Sequence, residues 1–456
     1  MPTFRDDNIV VVSPGSETTQ ATIGLGESLS PPTIQIPTKV YRHASNPKMF
    51  SSKGTEENAV YPVKKGRIVD VDAFGYLLKL IYRLAQSQLG AHAAVPMLLL
   101  SCCRWDRLTM ERITQYAFET IKVTGFTIIP SALAATYAYG LSDSLVIDIG
   151  KEKTEITPIN EFQVVEHARQ CVDYGGQTIN DSLSKLLPDL DAGQVEALKK
   201  SPIYEVLNES DTKNSWFALN ANETGNPGNE EEEGVVDIAA IVASGRTREI
   251  LDEREKEKQS GETKQVEPSN MDREFNTFVD PNNKTLEVGK QRFHGTEDLI
   301  QHLTFAVGQV IKRVDQVNRR QDCWDNVVIV GRGSTVKGFK EALLVSLQTK
   351  YVIMRNTTYS EVPSAFNTGQ NTPNGTPLYA PQLTQQHNQG HGQVPTSIRL
   401  AKMAEYFPEW KGHGWEDVPF LGAQIAAKQI FTGAIENSFL TRSEYNEVGP
   451  TSIWDI

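Results

Sequence analysis

Apolar and polar positions alternate most informatively between Leu145 and Ile159. Leu145-Val146-Ile147-Asp148-Ile149-Gly150 is an apolar, β-branched run broken by one carboxylate. Lys151-Glu152-Lys153 is polar, and Thr154 to Ile159 returns with period 2. The pattern predicts a β-hairpin with a short polar turn. A similar unit comes earlier: a strand Ile9–Val12, the turn Ser13-Pro14-Gly15-Ser16, and a return strand Thr19–Ile23. Ile34 to Val40 reads as extended and edge-like because of Pro37, and polar Arg42 to Asn58 as a mobile loop. Phe74, Leu77, Leu78, Ile81, Leu84 and Ala85 share one helical face, with Asp70 or Asp72 near its start. Pro96 to Leu100 and Phe126 to Ile129 read as strands. Met110, Ile113, Ala117 and Ile121 make a helix between them, and Pro130-Ser131 opens a short helix that Gly140 ends.

Past the central hairpin, Val164 to Arg169 is expected as a strand and Ile179 to Leu187 as a helix. Thr296-Glu297-Asp298 opens a helix with the apolar stripe Leu299, Leu303, Val307, Val310, Val314 and Val317. Val327 to Val330 is a strand, Gly331-Arg332-Gly333-Ser334 a turn, Gly338 to Leu347 a helix, and Phe420 to Phe431 another. Alternation of strand and helix indicates α/β architecture. Three stretches break it. Asn220 to Gly234 is polar and acidic and reads as a solvated loop. Arg246 to Lys258 is a densely charged helix candidate, and Thr357 to Gln393 is too rich in Asn, Gln, Thr, Pro and Gly to form a core, so disorder is expected.

At 456 residues the chain suggests two to four units. Its 39% hydrophobic and 22% charged content is that of a soluble globular protein. No apolar run reaches the length of a membrane span, and Met1 to Asp7 is not a signal-peptide pattern. A net charge of -12 argues against a direct grip on DNA or RNA. Cys102, Cys103, Cys171 and Cys323 lack zinc spacing and the histidines are scattered. Free thiols and no metal site are therefore expected. Asp148 is the chemically pointed residue, because a strand rarely buries a lone carboxylate. It points to a metal-bound water or a phosphate beside Gly150, or else it caps the turn through its own backbone. Gly331 to Gly333 before a helix has the ingredients of a phosphate seat, although glycines in such turns also serve purely steric ends.

Two hairpins and one strand–turn–helix in this order resemble the ATPase fold shared by actin, Hsp70 and sugar kinases. The residues between them resemble actin in particular. The stretches are Val95 to Gly140, including Arg112 to Thr120 and Tyr137-Ala138-Tyr139-Gly140; Asp173 to Thr178; Gln291-Arg292-Phe293 with Asn326 to Gly338 on the adenosine side; and Phe420-Leu421-Gly422 through Ser443-Glu444-Tyr445 to Gly449-Pro450-Thr451-Ser452. Within the actin family, Asp7 to Ile9, Gly176 to Leu183, Lys200 to Leu207, Ser244 to Glu249 and Phe407 to Lys411 are similar to the actin-related subunits of the fungal SWI/SNF and RSC chromatin remodellers. The resemblance implies an actin-like, two-lobed α/β fold with central mixed sheets flanked by helices. Residues 1–143 would form the first lobe, completed by 419–456. Residues 144–356 would form the second, with an acidic and charged insertion at 208–275. A disordered insertion at 357–396 and a segment 397–456 returning to the first lobe complete the expected layout. The resemblance also implies a nuclear, non-catalytic subunit supporting transcription regulation. Its expected partners are a second actin-related protein as heterodimer, the HSA helix of the remodeller ATPase and other remodeller subunits, with neither nucleic acid nor membrane bound directly. The alternative is a nucleotide-binding ATPase or switch of the same fold.

Departures from the family pattern bear on that alternative. Ser13, followed by Pro14, stands where actin has an Asp that helps hold the water shell of Mg²⁺. Ser131 replaces the Gln that orients the attacking water. In the second turn Asp148 and Gly150 are kept, but Lys151 replaces a carboxylate and Glu152 a glycine. In the adenosine turn a glycine becomes Arg332. A phosphate about 4 Å from Glu152 would meet about 4 kcal/mol of repulsion at an effective dielectric near 20, roughly three decades of affinity. Ser13, Gly15, Ser131, Asp148, Gly150, Gly331 and Gly333 are thus expected to line a degenerate nucleotide pocket, with hydrolysis lost, tight ATP binding absent and no cofactor required. The resemblance further implies a partner-helix groove at Tyr137, Gly140, Leu421 and Ile425.

Overall fold

The computed structural model describes residues 4–43, 46–90, 92–221, 269–352, 394–403, 406–433 and 437–456. Two mixed sheets dominate. The first has six strands, in the order Leu440–Thr441, Gly125–Pro130, Pro96–Ser101, Val10–Pro14, Thr18–Ile23 and Ile34–Pro37. The second has Gln163–Val164, Thr154–Asn160, Ser144–Ile149 and Val327–Val330 in line, with Gln170–Val172 also paired to Thr154–Asn160. Each sheet is built around one hairpin and a parallel neighbour. Val12 pairs with Ala21 and with Leu99, and Asp148 with Glu155 and with Val330.

Period 2 divides each central strand between two cores. Leu145, Ile147 and Ile149 face the core of the second sheet's own helices, including Glu297–Lys312 and Phe339–Tyr351. Val146 faces the other way, into a core shared with Val11, Leu98 and Leu100 of the first sheet and Val328 and Val330 of the second. Val10, Val12, Met97 and Leu99 point to the first sheet's outer core, beneath the helix Val71–Leu89. Asp148 follows Val146 and Ser13 follows Val11, so the alternation that builds the shared core also brings both residues to its open end.

Two helices, Ser131–Tyr139 and Val418–Phe431, fill the shared core. They touch backbone to backbone: a Cβ on Gly422 would lie 1.6 Å from the Ala134 carbonyl oxygen. The strand Leu440–Thr441, which follows the helix Val418–Phe431, joins the edge of the first sheet.

Several sequence expectations need correction. Arg42 to Asn58 is not loop throughout: Val40–His43 pairs with Asn46–Ser51 and with Ala59–Val60, and Glu56–Asn58 is a 3-10 turn. Val164 to Arg169 is not a strand; pairing stops at Val164 and resumes at Gln170–Val172. The helix starting at Arg107 widens into a π turn over Tyr116–Ile121, and Val317 belongs to the next helix, Val317–Asp325. The helix Ala192–Lys200 and the hairpin Asn276–Val279 with Thr285–Val288 are additions. Most of the Asn220 to Gly234 stretch, and all of Arg246 to Lys258 and Thr357 to Gln393, lie outside the described residues. Within the expected insertion at 208–275, Asn270, Arg273 and Glu274 are held by hydrogen bonds from Arg292.

Candidate functional site

A cleft of about 430 Å³ opens where the two hairpin turns face each other. Ser13, Gly15, Ser131, Asp148, Gly150, Gly331 and Gly333 all line it, so the expected pocket residues are assembled in one place. Each turn is closed by its own backbone: Gly15 N donates to Thr18 O at 3.0 Å, and Gly150 N to Lys153 O at 2.9 Å.

Asp148 lies at the base. Burial raises its pKa, opposed by the nearby Lys153 ammonium, and Ser131 Oγ donates to its Oδ2 at 3.4 Å. The Gly331–Gly333 turn packs straight onto this hairpin. A Cβ on Gly331, whose φ is +87°, would lie 2.5 Å from Asp148 Oδ1, and one on Gly333 2.5 Å from the Ile149 side chain. Close backbone approach accounts for both glycines without a ligand.

The walls carry charge in matched pairs. Lys151 Nζ from the second turn meets Glu17 Oε1 from the first at 2.5 Å, directly across the mouth. Arg332 reaches Thr18 Oγ1 at 3.0 Å and Asp417 Oδ2 at 3.5 Å. Asp417 also accepts from Gln20 Nε2 at 2.6 Å and lies 3.2 Å from His413 Nε2. Lys199 and Lys200 share Glu196 at 2.6 and 2.9 Å, and buried Lys153 lies 3.3 Å from Glu155. Burial pushes the Glu196 carboxyl up, but hydrogen bonds from Lys199, Lys200 and Asn180 outweigh this and bring it down to about 2. Every lysine and arginine lining the cleft is thus within ion-pair distance of a carboxylate of this chain.

This arrangement fits a nucleotide poorly. A triphosphate with its metal needs uncommitted cations and donors between the turns. Here that space holds the Lys151–Glu17 pair, with Glu152 beside it. Sequence reasoning singled out Lys151 and Glu152 but missed Glu17, Gln20, Glu196 and Asp417. Glu17 was visible as a carboxylate within the first turn; the other three come from elements whose meeting no local pattern announces.

The expected groove residues are only partly accessible. Leu421 is fully buried between the sandwiched helices, so it lines no surface. Tyr137 and Ile425 are half-buried and Gly140, at φ +66°, is exposed at its helix end. The Tyr137 ring lies 5.8 Å from that of exposed Phe162, which adds an apolar face the sequence did not suggest.

Comparison with known proteins places this geometry in context. A family model described as Actin matches residues 5–368. The chain is similar to the SWI/SNF and RSC complexes subunit arp9 of Schizosaccharomyces pombe, at 31% identity over 99% of both chains. It is also similar to an actin-like protein of Neurospora crassa, at 22% identity over 63% of this chain and 67% of that one. Actin-related protein 7 of Oryza sativa subsp. japonica matches 42% of this chain and 54% of its own length at 28% identity.

Proposed function

The chain belongs to the actin family, and from that premise we propose that it acts as a non-catalytic subunit of a nuclear chromatin-remodelling complex. The observation that carries this reading is the self-neutralised cleft: the chain's own carboxylates engage every cation on its walls. Ser13 and Ser131 supply neither a metal-side carboxylate nor a water-positioning amide. The similarity to a remodeller subunit over the whole chain supports the rest. The fold is then kept for its surfaces, through which it pairs with a second actin-related protein, other remodeller subunits and the HSA helix of the remodeller ATPase. It requires no cofactor and touches neither nucleic acid nor membrane directly.

The half-buried Tyr137 and Ile425, with Gly140 and Phe162, are the face proposed for the HSA helix. A buried unpaired charge there opposes helix docking. Gly140→Arg with Ile425→Asp is expected to abolish co-purification with the ATPase while leaving the circular dichroism spectrum unchanged. Wild-type recovery of the ATPase by a folded double variant would refute the assignment.

A second reading, a nucleotide-binding ATPase or switch, draws on the cleft volume and on Asp148 at its base. The two readings separate in one measurement, phosphate release by the purified subunit. None is expected; turnover that Asp148→Ala abolishes would favour the second.

A further inference from the structure

Three of the four cysteines meet at the seam between the sheets. Cys102 and Cys103 follow the strand Pro96–Ser101 of the first sheet; Cys171 lies on Gln170–Val172 of the second. Register places Glu155 opposite Cys171 on one side and Asp148 on the other, so these side chains form a row across one face. The two thiols of Cys102 and Cys103 and a Glu155 carboxylate oxygen all lie within 4.8 Å of one another. Cys171 is brought beside this group by its register with Glu155 on the neighbouring strand.

We propose that Cys102, Cys103, Cys171 and Glu155 bind a soft divalent cation of the zinc class, which ties the first sheet to the second. Ligands around tetrahedral zinc stand about 3.8 Å apart at a Zn–S length of about 2.3 Å, so a contraction of at most about 1 Å brings Cys102, Cys103 and Glu155 to that spacing, and Cys171 closes on them from the position opposite Glu155. Thiolates select zinc over magnesium or calcium. Lys153, 3.3 Å from Glu155, together with a divalent cation offsets most of the negative charge of the thiolates and Glu155. Glu155 is already oriented by Cys103 N at 3.2 Å and Thr157 Oγ1 at 3.3 Å, an outer shell of the kind that fixes a ligating carboxylate.

The test uses the full chain, purified from zinc-replete cells without chelator. Elemental analysis is expected to find about one zinc per chain. Replacement by cobalt is expected to give a thiolate-to-metal charge-transfer band in the near ultraviolet, and both signals should vanish in Cys171→Ser. Chelation is expected to lower the Tm of the wild type and leave that of Cys171→Ser unmoved. Metal-free wild-type protein that gives no cobalt band overturns the proposal, and that measurement needs no variant to fold. So does a disulfide joining Cys171 to Cys102 or Cys103 in the non-reduced protein, or zinc retained when all three cysteines are serine.

Discussion

Arg292 has no exposed surface, yet no carboxylate lies within ion-pair distance of it among the described residues. Its guanidinium donates to the carbonyl oxygens of Glu274 at 3.1 Å, Gly289 at 2.7 Å and Asn270 at 2.7 Å, and to Asn270 Oδ1 at 3.0 Å, while Phe293 stacks 4.4 Å away. Burial lowers its pKa. Arg292→Met would orphan several buried acceptors and is expected to cost at least about 3 kcal/mol in denaturant unfolding. The resemblance put Arg292 on the adenosine side; the structure gives it a purely architectural task, invisible in sequence because carbonyl oxygens carry no residue signature. At the cleft the single-residue question is affinity. Glu17→Gly with Glu152→Gly frees Lys151 and removes two repulsive charges, so calorimetry is expected to find ATP bound at least about tenfold more tightly than by wild type. Unchanged affinity would mean that the carboxylates are not what excludes phosphate.

Between elements, the sandwiched helices set the tightest constraint. Gly422→Ala drives a methyl into the Ala134 carbonyl and is expected to lose at least about 2 kcal/mol, read as a lower Tm. Nearby, Glu196 on Ala192–Lys200 bonds Asn180 on Gly176–Leu186 at 2.7 Å. Its folded pKa of about 2 lies below the ordinary 4.5, so its contribution is present above pH 4.5 and fades as pH falls towards 2. Stability measured from about pH 5 down to about pH 3 is expected to fall less steeply in Glu196→Gln than in wild type. Both central hairpins were legible because buried strands carry unbroken apolar runs, and Asp148 was legible because it interrupts one. Arg42 to Asn58 was not: its strands are short and largely exposed, with Arg42, His43 and Asn46 outward, and look like loop. The helix Ala192–Lys200 buries only Val195 and Leu198, too few for periodicity, although Asp191 and Gln194 form a capping box that announces its start. The thiol cluster was illegible because strand register, not sequence spacing, brings it together.

Over the whole molecule, ion pairs bridge the two halves: Lys151 to Glu17 at 2.5 Å in the cleft, and Arg104 to Asp173 at 2.6 Å outside it. Their exposure limits each to a small contribution, but reversing one adds repulsion. Lys151→Glu is expected to speed hydrogen exchange at the turn amides on both sides of the cleft, with the outer cores unchanged. The shared core has a further consequence, for biosynthesis. Arg442 donates to the Phe118 carbonyl oxygen across 324 residues of chain, beside the strand Leu440–Thr441 that closes the edge at Gly125–Pro130. A ribosome adding roughly 5–20 residues per second leaves that edge, and the apolar seat of Val418–Phe431, uncovered for roughly 16–65 s. During that interval the nascent first sheet presents an open strand and an empty groove to the cytosol, which makes it a client for chaperones before it can be a partner for anything else.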